Sequence, residues 1–374
     1  MMDYSASVVD MLGASRVRSI EERFSAIRAF VAGVPAQTCW IKHLPIPLAG
    51  ADPIRANEEL VDRLRQSGPS WCFITGVRDD GGRFAYASDV FRPQLPHAAA
   101  MAQFLLFDIH SSLGGWWLSH LWRAAEFAET MVASLAEWRI LSGAACARAL
   151  LEGVAAFVIE GEQLLMEWSA FKERGVPTLA SVSAFRDSFN AKLLQAQFGS
   201  RLGERAVKLP ASLKRTNVLT LLEKFSKRKG CDVMGPYEWL CDAVHPSFGF
   251  QTVYVATQGV HATGATFAAD LARRPDLCVT RIPKVDPTVA WACADVFVIA
   301  VDALLDAAPR LRWFIDDFGL TTGVAAAARS DFHGGMLRTD VPANCPCGSG
   351  LTFEECRHAW GTKTEPPIVP RHKP

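Results

Sequence analysis

Apolar residues recur every three to four positions along most of this chain, and the places where that period fails divide it into segments. Ile20, Phe24, Ile27 and Val31 stand at helical spacing and predict a helix over 16–31. Residues 33–54 are rich in proline and read as a loop, and a second helix is expected over 56–65. The period then shortens. Trp71-Cys-Phe-Ile-Thr-Gly-Val77 is a strand-like run, Asp79-Asp-Gly-Gly82 a turn, and residues 83–88 the answering strand, so a small β-hairpin is expected. The glycine pair serves that turn and lacks the spacing of a phosphate-binding loop. From 96 to 174 the pattern is strongly helical, with breaks expected at Gly114-Gly115 and near Ser142-Gly143. Cys146, Leu150, Val154, Phe157, Ile159 and Leu164 place much of the second half of this stretch against a core. Further helices are expected over 181–197, 216–228 and 236–244, a short strand over 250–257, and a long helix over 288–315. Residues 318–344 are rich in Gly and Ala and read as a linker, and the proline-rich end, 362–374, as disordered. No internal repeat is present.

Composition narrows the class. Apolar residues make up 49% of the 374 positions and charged residues 21%, which is the balance of a globular chain with a large core. Lys+Arg and Asp+Glu are equal at 39 each, so no net field draws the chain toward nucleic acid or an acidic membrane. The one basic run, Lys224, Lys227, Arg228 and Lys229, matches the dipole of a solvated helix end. Cys39, Cys72, Cys146, Cys231, Cys241, Cys278 and Cys293 are scattered among apolar neighbours without framework spacing, and read as reduced thiols of a cytoplasmic protein. The first residues lack the basic and apolar segments of a signal peptide. The most apolar stretch, 289–305, contains Asp295 and Asp302, which argues for a buried amphipathic helix over a membrane span.

The densest chemical signal is Cys345-Pro-Cys347-Gly-Ser-Gly350-Leu-Thr-Phe353-Glu-Glu-Cys356-Arg-His358. Three thiols and an imidazole around a Gly-Ser-Gly turn form a donor set for one tetrahedral zinc, closed and therefore structural. The segment resembles the SEC-C motif, the zinc module at the C-terminus of the preprotein translocase SecA and of many otherwise unrelated bacterial proteins. Cys345, Cys347, Gly348, Ser349, Gly350, Phe353 and Cys356 stand in its pattern. That motif places His or Cys directly after the last Cys; here Arg357 intervenes, and the fourth ligand is His358 or another group. The motif also carries basic residues where this chain has Glu354 and Glu355, so the resemblance implies a protein partner rather than ribosomal RNA.

In the body, Arg148 and Glu152 stand four apart on one predicted helix face. Further on, Tyr237-Glu-Trp-Leu240-Cys241-Asp-Ala-Val244-His245-Pro246 reads as a helix that ends before the proline. Together these resemble a bacterial family of helical proteins without an assigned activity, whose pattern has Ser where Cys241 stands, and which is sometimes joined to a SEC-C tail. Arg148, Glu152 and His245 are the candidate catalytic residues, fit for acid–base chemistry on a phosphate if they meet in space. A structural Arg–Glu–His network is the competing expectation. The Arg-x(4–6)-His helix of HEPN-type ribonucleases is not found: Arg92-Pro-Gln-Leu-Pro-His97 carries two prolines. Asp316-Asp317 read as the solvated end of the long helix, and Trp116-Trp117 with His120 and Trp122 as core or interface.

The expected fold is therefore mainly α: a helical bundle-like body with a small β-hairpin, plus a short C-terminal zinc-binding motif. Its expected organisation is an N-terminal helical segment with the hairpin (1–95), a helical domain (96–317), a linker (318–342), the zinc motif (343–361) and a disordered tail (362–374). The expected function is a cytoplasmic zinc-binding adaptor whose tail recruits a protein. The alternative is a helical nuclease or other phosphoryl-handling enzyme using Arg148, Glu152 and His245.

Overall fold

The computed structural model describes residues 6–38, 46–47, 72–77, 83–88, 97–198, 216–245, 251, 253–260, 267–273, 286–324 and 360–362. These are mainly helical: α1 Ala6–Leu12, α2 Ala14–Ala32, α3 His97–Ala136, α4 Ile140–Lys172, α5 Leu179–Phe198, α6 Val218–Lys229, α7 Met234–Val244 and α8 Thr288–Thr321. Short strands β1 Ile46–Pro47, β2 Cys72–Val77 and β3 Arg83–Ser88 pair antiparallel in the order β1-β3-β2, with Ile74 opposite Tyr86. A second antiparallel pair joins β4 Val255–Val260 to β5 Phe267–Leu271. The helix expected over 56–65, the turn at 79–82, the zinc-motif positions 345–358 and most of the proline-rich end lie outside the described residues.

The chain forms two compact units, neither of which is a continuous stretch. Residues 1–34, 118–162 and 216–309 make the first; residues 35–117, 163–215 and 310–374 make the second. Helices α3, α4 and α8 are each divided between them.

In the first unit, α2 lies parallel to α8 and is joined to it by ion pairs that step seven residues along both helices. Arg16 Nε meets Asp295 Oδ1 at 3.2 Å, and Arg23 Nε meets Asp302 Oδ1 at 3.1 Å. Seven residues is two helical turns, so the pairs recur on one face. Ile20, Phe24 and Ile27 fill the buried stripe of α2. Helices α4 and α8 are long and apolar enough to cross a membrane by length and composition alone, and 61% of the most apolar window of each is buried inside the protein. The two aspartates that interrupt the apolar run of α8 are the ones paired to α2. Helix α6 is capped at both ends: Asn217 Oδ1 accepts from Leu219 N at 3.1 Å, and Gly230 closes it in the left-handed conformation at φ 67°. Arg228 and Lys229 in its last turn pair with Glu162 and Asp306.

The expected helix breaks fall elsewhere. Helix α3 runs through Gly114-Gly115, and α4 runs through Ser142-Gly143. The turn is at Glu137–Arg139, closed by Arg139 N donating to Ser134 O at 2.7 Å and Trp138 N to Leu135 O at 3.1 Å. This pair of bonds is a Schellman cap, whose left-handed residue is usually glycine. Here it is Trp138, at φ 59° and 5% exposed. Burial of the indole holds a conformation that costs a side-chain-bearing residue about 1–2 kcal/mol. Gly143 serves packing instead: a Cβ there would stand 3.2 Å from Leu135 Cδ2.

The second unit has an aromatic core containing Trp116, Trp117, Trp168, Phe171, Phe185, Phe189, Phe314 and Phe318, all buried. Two further expectations are corrected here. Helix α8 continues to Thr321 with Phe318 and Val324 fully buried, so the start of the expected linker is core. Asp316 and Asp317 are not a solvated helix end. Asp316 pairs with Arg312 four residues back, and Asp317 is fully buried in an ion pair with Lys172. Apolar residues after 317 continue the helical stripe past the acidic pair, and buried partners replace water for the carboxylate.

Candidate functional site

The first unit brings Arg148, Glu152 and His245 together. Arg148 and Glu152 stand four apart near the start of α4, with Arg148 Nε 2.9 Å from Glu152 Oε1. Helix α7 supplies the rest. Its last bond joins His245 N to Cys241 O at 2.9 Å, and His245 is extended at ψ 154°, as a residue before proline prefers. That ending carries the imidazole to Arg148, where Nε2 lies 3.3 Å from Nη1. A guanidinium only donates, so this contact needs Nε2 as the acceptor and the ring proton on Nδ1.

Two more residues of α7 complete the cluster. Tyr237 donates its hydroxyl to Glu152 Oε1 at 2.8 Å, and the Arg148 guanidinium stands over the Tyr237 ring at 5.5 Å. Cys241 lies one turn further along, where its thiol and the Tyr237 hydroxyl influence each other electrostatically. Glu152 Oε1 thus takes two hydrogen bonds, while Oε2 of Glu152 and Nη2 of Arg148 have no partner among the described residues.

Burial raises the Tyr237 hydroxyl above its ordinary range, and the bond to Glu152, which the phenol must keep its proton to make, raises it further. Burial likewise raises the Cys241 thiol, opposed by Tyr237 and Arg148, and the thiol form is favoured. This makes Cys241 a poor resting nucleophile. Arg148 is held more firmly charged: burial opposes its charge, but the bond to Glu152 and the surrounding groups outweigh that.

The side chains of Arg148 and Glu152 are 24% and 18% exposed, and His245 is exposed. The cluster therefore opens to solvent at its histidine end and closes at its tyrosine end. An anion reaching it would meet one cationic group, one carboxylate oxygen and one imidazole. Tyr237 and Cys241 stood in the sequence as members of the segment that ends at His245-Pro246, without a role of their own; the hydrogen bond to Glu152 had no local signature.

The zinc-motif residues Cys345, Cys347, Cys356 and His358 lie outside the described residues, and among the described residues no three His, Cys, Asp or Glu side chains gather as a metal site. As a donor set, three thiols and an imidazole fit a tetrahedral zinc.

A second charged group, not foreseen, is buried in the second unit. Lys172 Nζ bonds Asp317 Oδ1 at 2.7 Å, and Trp168 Nε1 donates to Asp317 Oδ2 at 2.7 Å. Arg186 clamps Asp108 with both terminal nitrogens, Nη2 to Oδ2 at 2.9 Å, and also donates to the Leu105 carbonyl. His110, 4% exposed, stacks on Phe318. These groups are sealed from solvent and tie helices together. Comparison of the chain with protein-family models, with curated proteins and with solved structures found no match to any of them.

Proposed function

We propose that this chain is a cytoplasmic zinc-binding adaptor: a mainly helical body with a small β-hairpin carries a C-terminal SEC-C-like zinc module that binds a protein partner. The observation that carries the reading is the donor set Cys345, Cys347, Cys356 and His358 around Gly348-Ser349-Gly350. Zinc bound there folds a segment too short to bury its own core, so metal affinity and tail folding are one free energy. Glu354 and Glu355, in place of basic residues, favour a protein surface over a phosphate backbone. Chelation tests this part: the tail should lose protection from protease while the body keeps its helical circular dichroism. Loss of body helicity on chelation would place the metal elsewhere.

A second reading, a phosphoryl-handling enzyme such as a nuclease, is favoured by one observation. Arg148, Glu152 and His245 meet at a cluster whose histidine faces solvent. In that reading Arg148 holds the phosphate and His245 exchanges the proton. Hydrolysis of bis(4-nitrophenyl) phosphate and of single-stranded RNA by the wild type, His245→Ala and Arg148→Ala separates the two readings. A turnover lost in both variants with an unchanged melting temperature supports the enzyme. Absence of turnover, with a melting temperature lowered by His245→Ala, supports the adaptor with a structural network.

A further inference from the structure

The end of α4 carries a contact that the adaptor reading does not use. Trp360 packs edge-on against Trp168, with ring centroids 5.8 Å apart, and against Phe171, at 5.7 Å and an interplanar angle of 90°. Edge-to-face is the favoured geometry for aromatic pairs at this separation. The next residue, Gly361, donates its N–H to the Lys172 carbonyl at 2.9 Å. Lys172 is the last residue of α4, and its carbonyl also accepts from Gly175 N at 3.2 Å, so the tail adds a second donor to the helix end from a distance of many residues. Gly361 does this at φ 87°, and a Cβ on it would stand 3.6 Å from Gly175 Cα. The left-handed conformation favours glycine there, while the space itself would admit a Cβ in ordinary contact.

The same two α4 residues are fixed from beneath. The Trp168 indole N–H and the Lys172 ammonium each take one oxygen of the buried Asp317 carboxylate. Phe171 stacks on Phe185 at 4.0 Å, which fixes the other wall. The walls of the socket are therefore held by contacts that do not involve Trp360, and a carbonyl acceptor lies beside them.

We propose that Trp168, Phe171 and the Lys172 carbonyl form a receptor for a Trp-Gly segment, occupied in cis by Trp360-Gly361 as a releasable latch. Cys356 and His358 lie four and two residues before Trp360, so the latch joins the candidate zinc module to the body at its C-terminal side. Where the latch bears on partner binding it rests on the adaptor reading: a partner that needs a free tail binds with affinity reduced by the latched fraction. The socket itself depends on no metal.

Hydrogen exchange on the full-length chain tests the latch. In the wild type the Gly361 amide and the amides of Glu173, Arg174 and Gly175 at the α4 end are protected. Trp360→Ala should speed exchange in both segments by about tenfold or more. Gly361→Val, which keeps the indole, should do the same, and the melting temperature should hold in both variants. A synthetic peptide of residues 357–365 should restore the α4-end protection of Trp360→Ala. It should be supplied at about 5 mM, because the tether it replaces gives an effective concentration in the millimolar range. The same peptide with Ala at the Trp position should not restore it. Unchanged exchange in Trp360→Ala, or lost protection that the peptide does not restore, overturns the proposal. The zinc content of the same samples is read separately, so failure of the latch and failure of the zinc reading are distinguishable.

Discussion

Asp317 and Asp302 sit on the same helix and carry the same charge, yet the chain asks different things of them. Asp317 is fully buried, with Lys172 and Trp168 on its two oxygens, while Asp302 is 52% exposed beside Arg23. Removing one partner of a buried pair strands the other, at a cost of about 3–5 kcal/mol, whereas an exposed pair contributes about 0–1 kcal/mol. Urea unfolding should therefore show Asp317→Ala losing several-fold more stability than Asp302→Ala, and equal losses would contradict the burial. Tyr237 gives a pH test. Its folded pKa is raised above the unfolded value of 10.0, by burial first and then by the bond to Glu152. A raised pKa favours the protonated form in the native state, so its contribution is complete below pH about 10 and lost as pH rises through the higher folded value. Tyr237→Phe should flatten the alkaline fall in stability above pH about 10, after losing about 1 kcal/mol at neutral pH for the missing hydrogen bond. A fall as steep as the wild type's would put the alkaline sensitivity elsewhere.

Among the elements, amphipathic period made α2, α6 and α7 legible, because each keeps one apolar stripe and has a local stop signal. Gly230 ends α6, and Pro246 ends α7 at His245. The glycines of α3 and α4 misled because a glycine in a packed helix costs only about 1 kcal/mol against alanine, and the packing of the rest of the helix overrides that; of Gly115 and Gly143, only Gly143 has a tertiary reason, its contact with Leu135. The actual corner needed a left-handed residue and took Trp138, which no turn propensity would choose. The acidic pair at 316–317 misled similarly, since nothing local distinguishes a solvated aspartate from one whose partner is 145 residues away. Two alanine substitutions test this account. Gly115 has open space where a Cβ would stand, whereas at Gly319 the Cβ would meet His110 Nε2 at 2.4 Å. Gly115→Ala should be neutral or stabilising by up to about 1 kcal/mol, and Gly319→Ala should destabilise by about 1–3 kcal/mol. Thermal melts with the reverse order would mean that the helix interiors are packed otherwise than described.

Over the whole molecule, hydrophobic pattern announces a mainly helical chain but not its interleaving, in which α3, α4 and α8 each belong partly to both units. Periodicity reports which face of a helix is buried and not what buries it. The same limit holds for the candidate sites. Arg148 and Glu152 were legible as a pair because their spacing is local, and the approach of His245, 97 residues away, could only be posed as a condition. The candidate zinc motif is the opposite case: the donor set proposed for it lies within fourteen consecutive residues and is posed without the fold. It is also where the proposed function stands or falls. The most direct test is zinc content per full-length chain, measured for the wild type and for Cys347→Ala purified side by side. The account predicts one equivalent in the wild type and its loss in the variant, with the helical circular dichroism of the body unchanged. A wild type without zinc, or zinc retained in Cys347→Ala, would contradict it.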